Sequence, residues 1–176
     1  MRVRDHIAIS TTAAVISRRR LGRNAALLWA GGVLIDFDHY VAFCLQEDRT
    51  SPAAAMRYYD RATVPEHWAT RALHSPVAVL GVFGLGARLR PLTALGFGMV
   101  LHIALDVAHE ARMRNVRAAA LERDRHDCQA CGAHTADVDT HLSQQPWLLP
   151  SYRPENVVSL CGPCHVLAHA PGRRAA

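Results

Sequence analysis

The chain has 176 residues, half of them hydrophobic, with five cysteines and a formal net charge of +5. That apolar content excludes a disordered chain, and five cysteines, one far from the others, fit poorly with a secreted disulfide scaffold. The charge is split: residues 1–117 carry 15 Arg against 9 acids, residues 118–176 carry 5 Arg against 6. A pI near 9.3 points to a polyanionic partner, nucleic acid or the acidic face of a membrane. The excess lies at Arg18, Arg19, Arg20 and Arg23 and at a junction holding Arg112, Arg114, Arg117, Arg123 and Arg125.

In chain order, helices are predicted over 6–17, 25–45, about 68–87 and 91–117, with breakers at Gly22, Ser51-Pro52, Pro65 and Pro91. Residues 46–66 read as a polar, Tyr-containing connection. Asp5 and His6 interrupt the first stretch, which therefore does not read as a secretory signal. The segments 25–45 and 91–108 approach the ~20 apolar residues that cross a bilayer. Acids and histidines inside them are expensive in lipid unless they meet within a bundle. A membrane-associated bundle is the expectation and a soluble one the alternative; arginines at 18–23, 88–90 and 112–117 leave the topology open. Cys44, alone in an apolar helix, is expected to pack as a small hydrophobe.

The informative residues of the first part are polar ones in apolar surroundings. Asp36, Asp38 and His39 lie in Gly32-Val-Leu-Ile-Asp-Phe-Asp-His-Tyr40. His67, Arg71 and His74 share one helix face, and His102, Asp106 and His109 repeat the spacing. Buried charges demand partners, and a divalent cation held by carboxylates and imidazoles would supply one. Satisfied core histidines, helix caps or exposed polar faces are the plainer alternatives. The series His6, Asp36-Phe37-Asp38-His39, Arg71 to His74-Ser75, and His102 to Asp106 resembles the membrane-bound metal-dependent hydrolases of bacteria over residues 5–110. The resemblance implies a helical membrane protein with a metal site of Asp36, Asp38, His74, His102 and Asp106. Arg71 falls one residue closer to His74 than that family's pattern.

Downstream, Cys128-Gln-Ala-Cys131 is followed 30 residues later by Cys161-Gly-Pro-Cys164. Two such knuckles can hold one structural Zn²⁺ through four thiolates, replacing a core that ~50 residues are too few to build. Two disulfides or four ordinary thiols are the other readings. The runs Glu122-Arg-Asp-Arg-His-Asp-Cys-Gln-Ala-Cys-Gly132, Val138-Asp-Thr-His-Leu142 and Glu155-Asn-Val-Val-Ser-Leu-Cys-Gly-Pro-Cys-His165 resemble the HNH endonuclease family over about residues 120–170.

That resemblance implies a ββα-metal fold: a hairpin carrying His141, a loop with Asn156, and a helix starting near Cys164. It implies His141 as general base, a role suited to an imidazole near pKa 6.5. Asn156 would hold the His141 loop, and a second divalent ion (Mg²⁺, Mn²⁺ or Zn²⁺) would bind through His165, with His169 one turn on. Thr140 stands where the family carries Asp or His, with Asp139 one residue further back; a bulge could bring Asp139 to the ion. The Gly-rich turn usual between base and Asn is replaced here by residues 143–153.

The expectation is therefore an N-terminal all-helical, membrane-associated bundle (1–117) followed by a zinc-stabilised ββα-metal module of small α/β type (118–176). Its function would be metal-dependent hydrolysis of phosphodiesters in nucleic acid, DNA with little sequence specificity. Arg117, Arg123 and Arg125 would lie near the phosphate backbone. The bundle would sit in the inner membrane with the module in the cytoplasm, or the whole chain would be cytoplasmic. The alternative is a catalytically degenerate zinc module that binds nucleic acid or a partner, attached to a hydrolase acting on a phosphoester or lipid.

Overall fold

The computed structural model describes residues 3–59, 72–144 and 152–169. It is mostly helical, and the chain divides into two compact units, Met1–Val107 and Ala108–Ala176. The division falls inside a helix, ten residues before the junction expected at 117. Helical propensity does not stop where the composition changes: the Ala-rich run past residue 117 keeps the helix going to Arg123.

In the first unit, α1 (Val3–Leu21) ends in Arg18, Arg19 and Arg20, cations that complement the negative end of the helix dipole. Gly22, at φ +55, makes the reversal, and a short 3₁₀ turn (Gly22–Asn24) leads into α2 (Ala25–Leu34). The helix predicted over 25–45 is broken. α2 stops at Leu34, and α3 (Phe37–Glu47) begins after a tight turn in which Asp38 N–H reaches Ile35 O and His39 N–H reaches Asp36 O at 3.1 Å. Asp36 sits at that break, so Asp36 and Asp38 both reach the bundle interior, which two positions two apart on a straight helix would not do.

Residues 46–66 are not only connection: α4 (Pro52–Tyr59) forms there, and Ala55 and Tyr58 pack on Phe43. Cys44 packs against the same cluster, as expected. Within 68–87 the described helix is α5 (Pro76–Gly86), started by Ser75, whose Oγ accepts from Ala78 N–H at 3.1 Å. His67 and Arg71 lie outside the described residues. The first half of α6 (Pro91–Arg123) packs on α2 at glycines. A Cβ on Gly31 would run into the Leu95 carbonyl, and one on Gly98 into the Leu28 carbonyl, so both helices approach backbone to backbone.

In the second unit, Val116 and Ala120 of α6 pack on Val157 and Leu142. β1 (Val138–Leu142) and β2 (Val157–Cys161) pair antiparallel, from Val138↔Cys161 to Leu142↔Val157. The register is continuous, so the bulge that would have served Asp139 is absent from β1. α7 (Gly162–Ala168) follows β2 directly. Arg125 and His126, both at positive φ, turn the chain sharply after α6.

Candidate metal centres

The second unit brings both cysteine knuckles together. All four sulfurs lie within 4.8 Å of one another, and Cys131 Sγ is 3.7 Å from Cys161 Sγ. Four thiolates at about 2.3 Å from one Zn²⁺ stand about 3.8 Å apart along the edges of a tetrahedron, whereas a disulfide needs about 2.05 Å. The cysteines are free thiols. Tight turns build the first knuckle: Cys128 N–H donates to Ala133 O and Gly132 N–H to Cys128 O, with Gly132 at φ +72. Burial pushes the Cys128 thiol up, but backbone N–H groups of Cys161, Cys131 and Ala130 outweigh it and hold the thiol at about 6. Cys164, crowded by the sulfurs of Cys161, Cys128 and Cys131, is pushed up to about 12. Such a set cannot ionise together without a cation, so these donors fit a dication.

Beside it, His141 projects from β1, and His165 and His169 from α7 and its end. Their ring nitrogens lie within 4.8 Å of one another. His165 Nε2 and His169 Nε2 face each other at 3.3 Å. The His141 ring centroid is 5.3 Å from that of His165 and 4.7 Å from that of His169. Burial, with His169 and His165 next to it, holds the His141 imidazole below its ordinary value. Strand alternation explains the placement: positions 139 and 141 share one face of β1, and Thr140, opposite Ser159, points away.

Asp139 does not enter the space between the rings. Its Oδ2 lies 3.6 Å from His165 Nδ1, the nitrogen turned away from His169, and its Oδ1 accepts from Thr140 N–H at 2.7 Å. It stands behind His165, and His141 completes the cluster where Asp139 was expected. Asn156 acts on the loop: its Oδ1 accepts from Gln144 N–H at 2.8 Å and its Nδ2 donates to Gln144 O at 2.9 Å. Arg117 and Arg125 are exposed. Arg123 donates to both Asp124 oxygens at 2.7 Å, to Pro154 O at 2.6 Å and to Val157 O at 2.8 Å, so most of its fork is spent inside the unit.

The first unit holds a denser cluster. His102 Nδ1 donates to Gly32 O at 3.0 Å, which leaves Nε2 bare in the neutral ring. His74 Nδ1 donates to Asp38 Oδ2 at 2.9 Å, which leaves its Nε2 bare as well. The two bare nitrogens face each other at 3.2 Å. Asp36 Oδ1 lies 3.4 Å from His102 Nε2 and 3.7 Å from His74 Nε2, and Asp106 Oδ2 lies 3.1 Å from His102 Nε2. Acceptors converging on acceptors fit a cation in the middle.

Asp38 is engaged otherwise. Its oxygens take His39 Nδ1 at 2.7 Å, His74 Nδ1 and the Leu73 N–H at 3.0 Å, so it fixes the imidazoles and leaves the centre to Asp36. Two residues outside the expected ligand set join the cluster. His6 Nε2 donates to Asp106 Oδ1 at 3.0 Å, and its ring stacks on His102 at 3.8 Å. His39 groups with Asp36 and His74. Both stood in the series that carried the hydrolase resemblance, but neither was in the ligand set that it implied. His109 is not part of this cluster; its ring meets Tyr152 at 4.7 Å in the second unit.

Comparison with protein-family models, with curated proteins and with solved structures returns no match.

Proposed function

We propose that the chain is a metal-dependent phosphodiesterase of the HNH kind, with its reaction at the His141–His165–His169 cluster and its first unit in a membrane. The observation that carries the reading is the convergence of three imidazoles beside a four-cysteine centre. A divalent cation bound there would neutralise phosphate charge and stabilise the leaving oxygen. His165 and His169 would hold it, with the Asp139 carboxylate near His165 Nδ1. His141, neutral, would take the proton of the attacking water at a ring nitrogen. Asn156 fixes residues 143 and 144, and so the end of the strand that carries His141. Exposed Arg117 and Arg125 add sequence-independent, salt-sensitive affinity for nucleic acid, while Arg123 works as a structural clasp.

Placement in the membrane is supported by two helical stretches long and apolar enough to cross one, Val3–Glu47 and Pro91–Arg123. Only 33% and 28% of their apolar windows are buried, and Val15, Ile16, Leu34, Phe97 and Val100 are exposed on them, which leaves apolar surface for lipid to cover. The second module then lies on the cytoplasmic side.

A second reading is favoured by the acceptor cluster of Asp36, His74, His102 and Asp106. Here the hydrolysis belongs to the first unit, on a lipid or other phosphoester, and the zinc module binds without cutting. Plasmid and single-stranded DNA are incubated with Mg²⁺ or Mn²⁺ and wild type, His141→Ala or Asp106→Ala. Loss of cleavage only in His141→Ala is the expected result, with Mn²⁺ binding retained. Loss only in Asp106→Ala moves the chemistry to the first unit. Equal, chelator-resistant cleavage by all three points to a contaminant and defeats the nuclease reading.

A further inference from the structure

Away from both clusters, the α1–α2 turn carries a feature that neither centre uses. The last turns of α1 and the first turns of α2 flank an open, shallow groove of about 490 Å³. Its walls are largely apolar, from Ala14, Val15, Ala26 and Trp29, and Arg18 and Arg23 line it too. Trp29 is anchored by its Nε1–H, which donates to Thr11 Oγ1 at 3.1 Å. Both arginines are exposed, and neither has a carboxylate partner among the described residues.

Arg18, Arg19 and Arg20 balance the end of the α1 dipole, yet that role does not require an apolar trough beside them. Two free guanidinium groups next to such a trough match one kind of molecule: a phosphate that accepts planar N–H forks, joined to hydrocarbon that can lie along Val15 and Trp29. We propose that the groove binds an anionic phospholipid, the phosphate at Arg18 and Arg23 and the upper acyl chain against the apolar wall. The surroundings agree with that occupant. The groove sits at the start of the apolar α2, Trp favours the boundary between lipid and water, and basic side chains there attract anionic lipid. The inference rests on the membrane reading of the first unit.

The detergent-solubilised full chain, carrying Trp68→Phe and Trp147→Phe, is titrated with phosphatidylglycerol or phosphatidylcholine in mixed micelles while Trp29 fluorescence is followed. The expected result is a preference for phosphatidylglycerol that Arg18→Gln/Arg23→Gln weakens about 30-fold, since each basic side chain near an anionic surface contributes about fivefold. The charge-matched Arg19→Gln/Arg20→Gln, whose positions do not line the groove, keeps the preference; metal content reports that both variants are folded. Equal response to the two lipids overturns the proposal, as does equal weakening by both double variants. Displacement of phosphatidylglycerol by inorganic phosphate at similar concentration, or an equal Arg18/Arg23-dependent response to a DNA oligonucleotide, overturns it in favour of those ligands. A chain that stays soluble and monodisperse without detergent defeats the membrane reading itself, a separate outcome from equal lipid response.

Discussion

Two imidazole nitrogens facing each other at 3.2 Å, as His74 Nε2 and His102 Nε2 do, repel unless a proton or a cation lies between them. Their other nitrogens are committed to Asp38 and Gly32, so the neutral rings present two acceptors that either a shared proton or a cation would join. Asp38→Asn tests this directly. It removes a carboxylate that orients two histidines without removing a donor from the centre, and carboxylates of that kind are worth roughly 10- to 100-fold in metal affinity. Mn²⁺ titration of the full chain is expected to show a loss in that range. A second test sits at Asp124, a buried carboxylate that accepts from Arg123 and from the Ser159 N–H at 3.1 Å. The Arg123 hydrogen bonds hold it below the ordinary 3.8. Its stabilising contribution is therefore complete above that value and is lost as pH falls through the depressed one. Asp124→Asn should cost about 1–3 kcal/mol at pH 7, and the gap to wild type in thermal unfolding should close in strong acid.

At the scale of elements, glycines decide how α2 meets α6. Gly31→Ala places a methyl on the Leu95 carbonyl and should destabilise by about 1–3 kcal/mol, with weaker ion binding because α2 carries Gly32, the anchor of His102. Gly81→Ala on α5 meets nothing within 4 Å and should be neutral or stabilising by up to about 1 kcal/mol. Thermal melts of the two variants separate a packing role from mere helix propensity. Among the described residues of the second unit, Cys128, Leu160 and Cys161 form a small buried cluster, and an ion shared by the four cysteines would add to so little apolar area. Cys161→Ser is expected to remove one equivalent of zinc, read by elemental analysis, and to raise amide exchange across β1 and β2 toward that of an unfolded chain. Retention of protected strands in the zinc-free variant would assign the fold to packing.

Across the whole molecule, α6 runs through the boundary between the units, contributing His102 and Asp106 to one and Val116 and Ala120 to the other. Legibility differed between the units for a physical reason. The knuckles were readable because cysteines able to share one ion must come in closely spaced pairs. Beyond the family resemblance, residues 36, 74, 102 and 106 were readable only as polar groups that needed partners, since apart from the 102/106 pair on α6 they come from segments 28 or more positions apart. His6 stayed outside the expected ligand set because nothing local ties the start of α1 to residue 106.

By itself the sequence determined the helical class of the first part and the types of donor available, because periodicity and ligand spacing are local properties; the strand–strand–helix order of the second part was expected only through its resemblance to the HNH family. Tertiary structure alone decided which donors face a common point. It broke the 25–45 helix at Asp36, turned Asp38 to its histidines, kept β1 free of a bulge, and set His141 rather than Asp139 among the imidazoles. Such choices depend on how side-chain directions add up over many residues of backbone, a sum that no short motif contains.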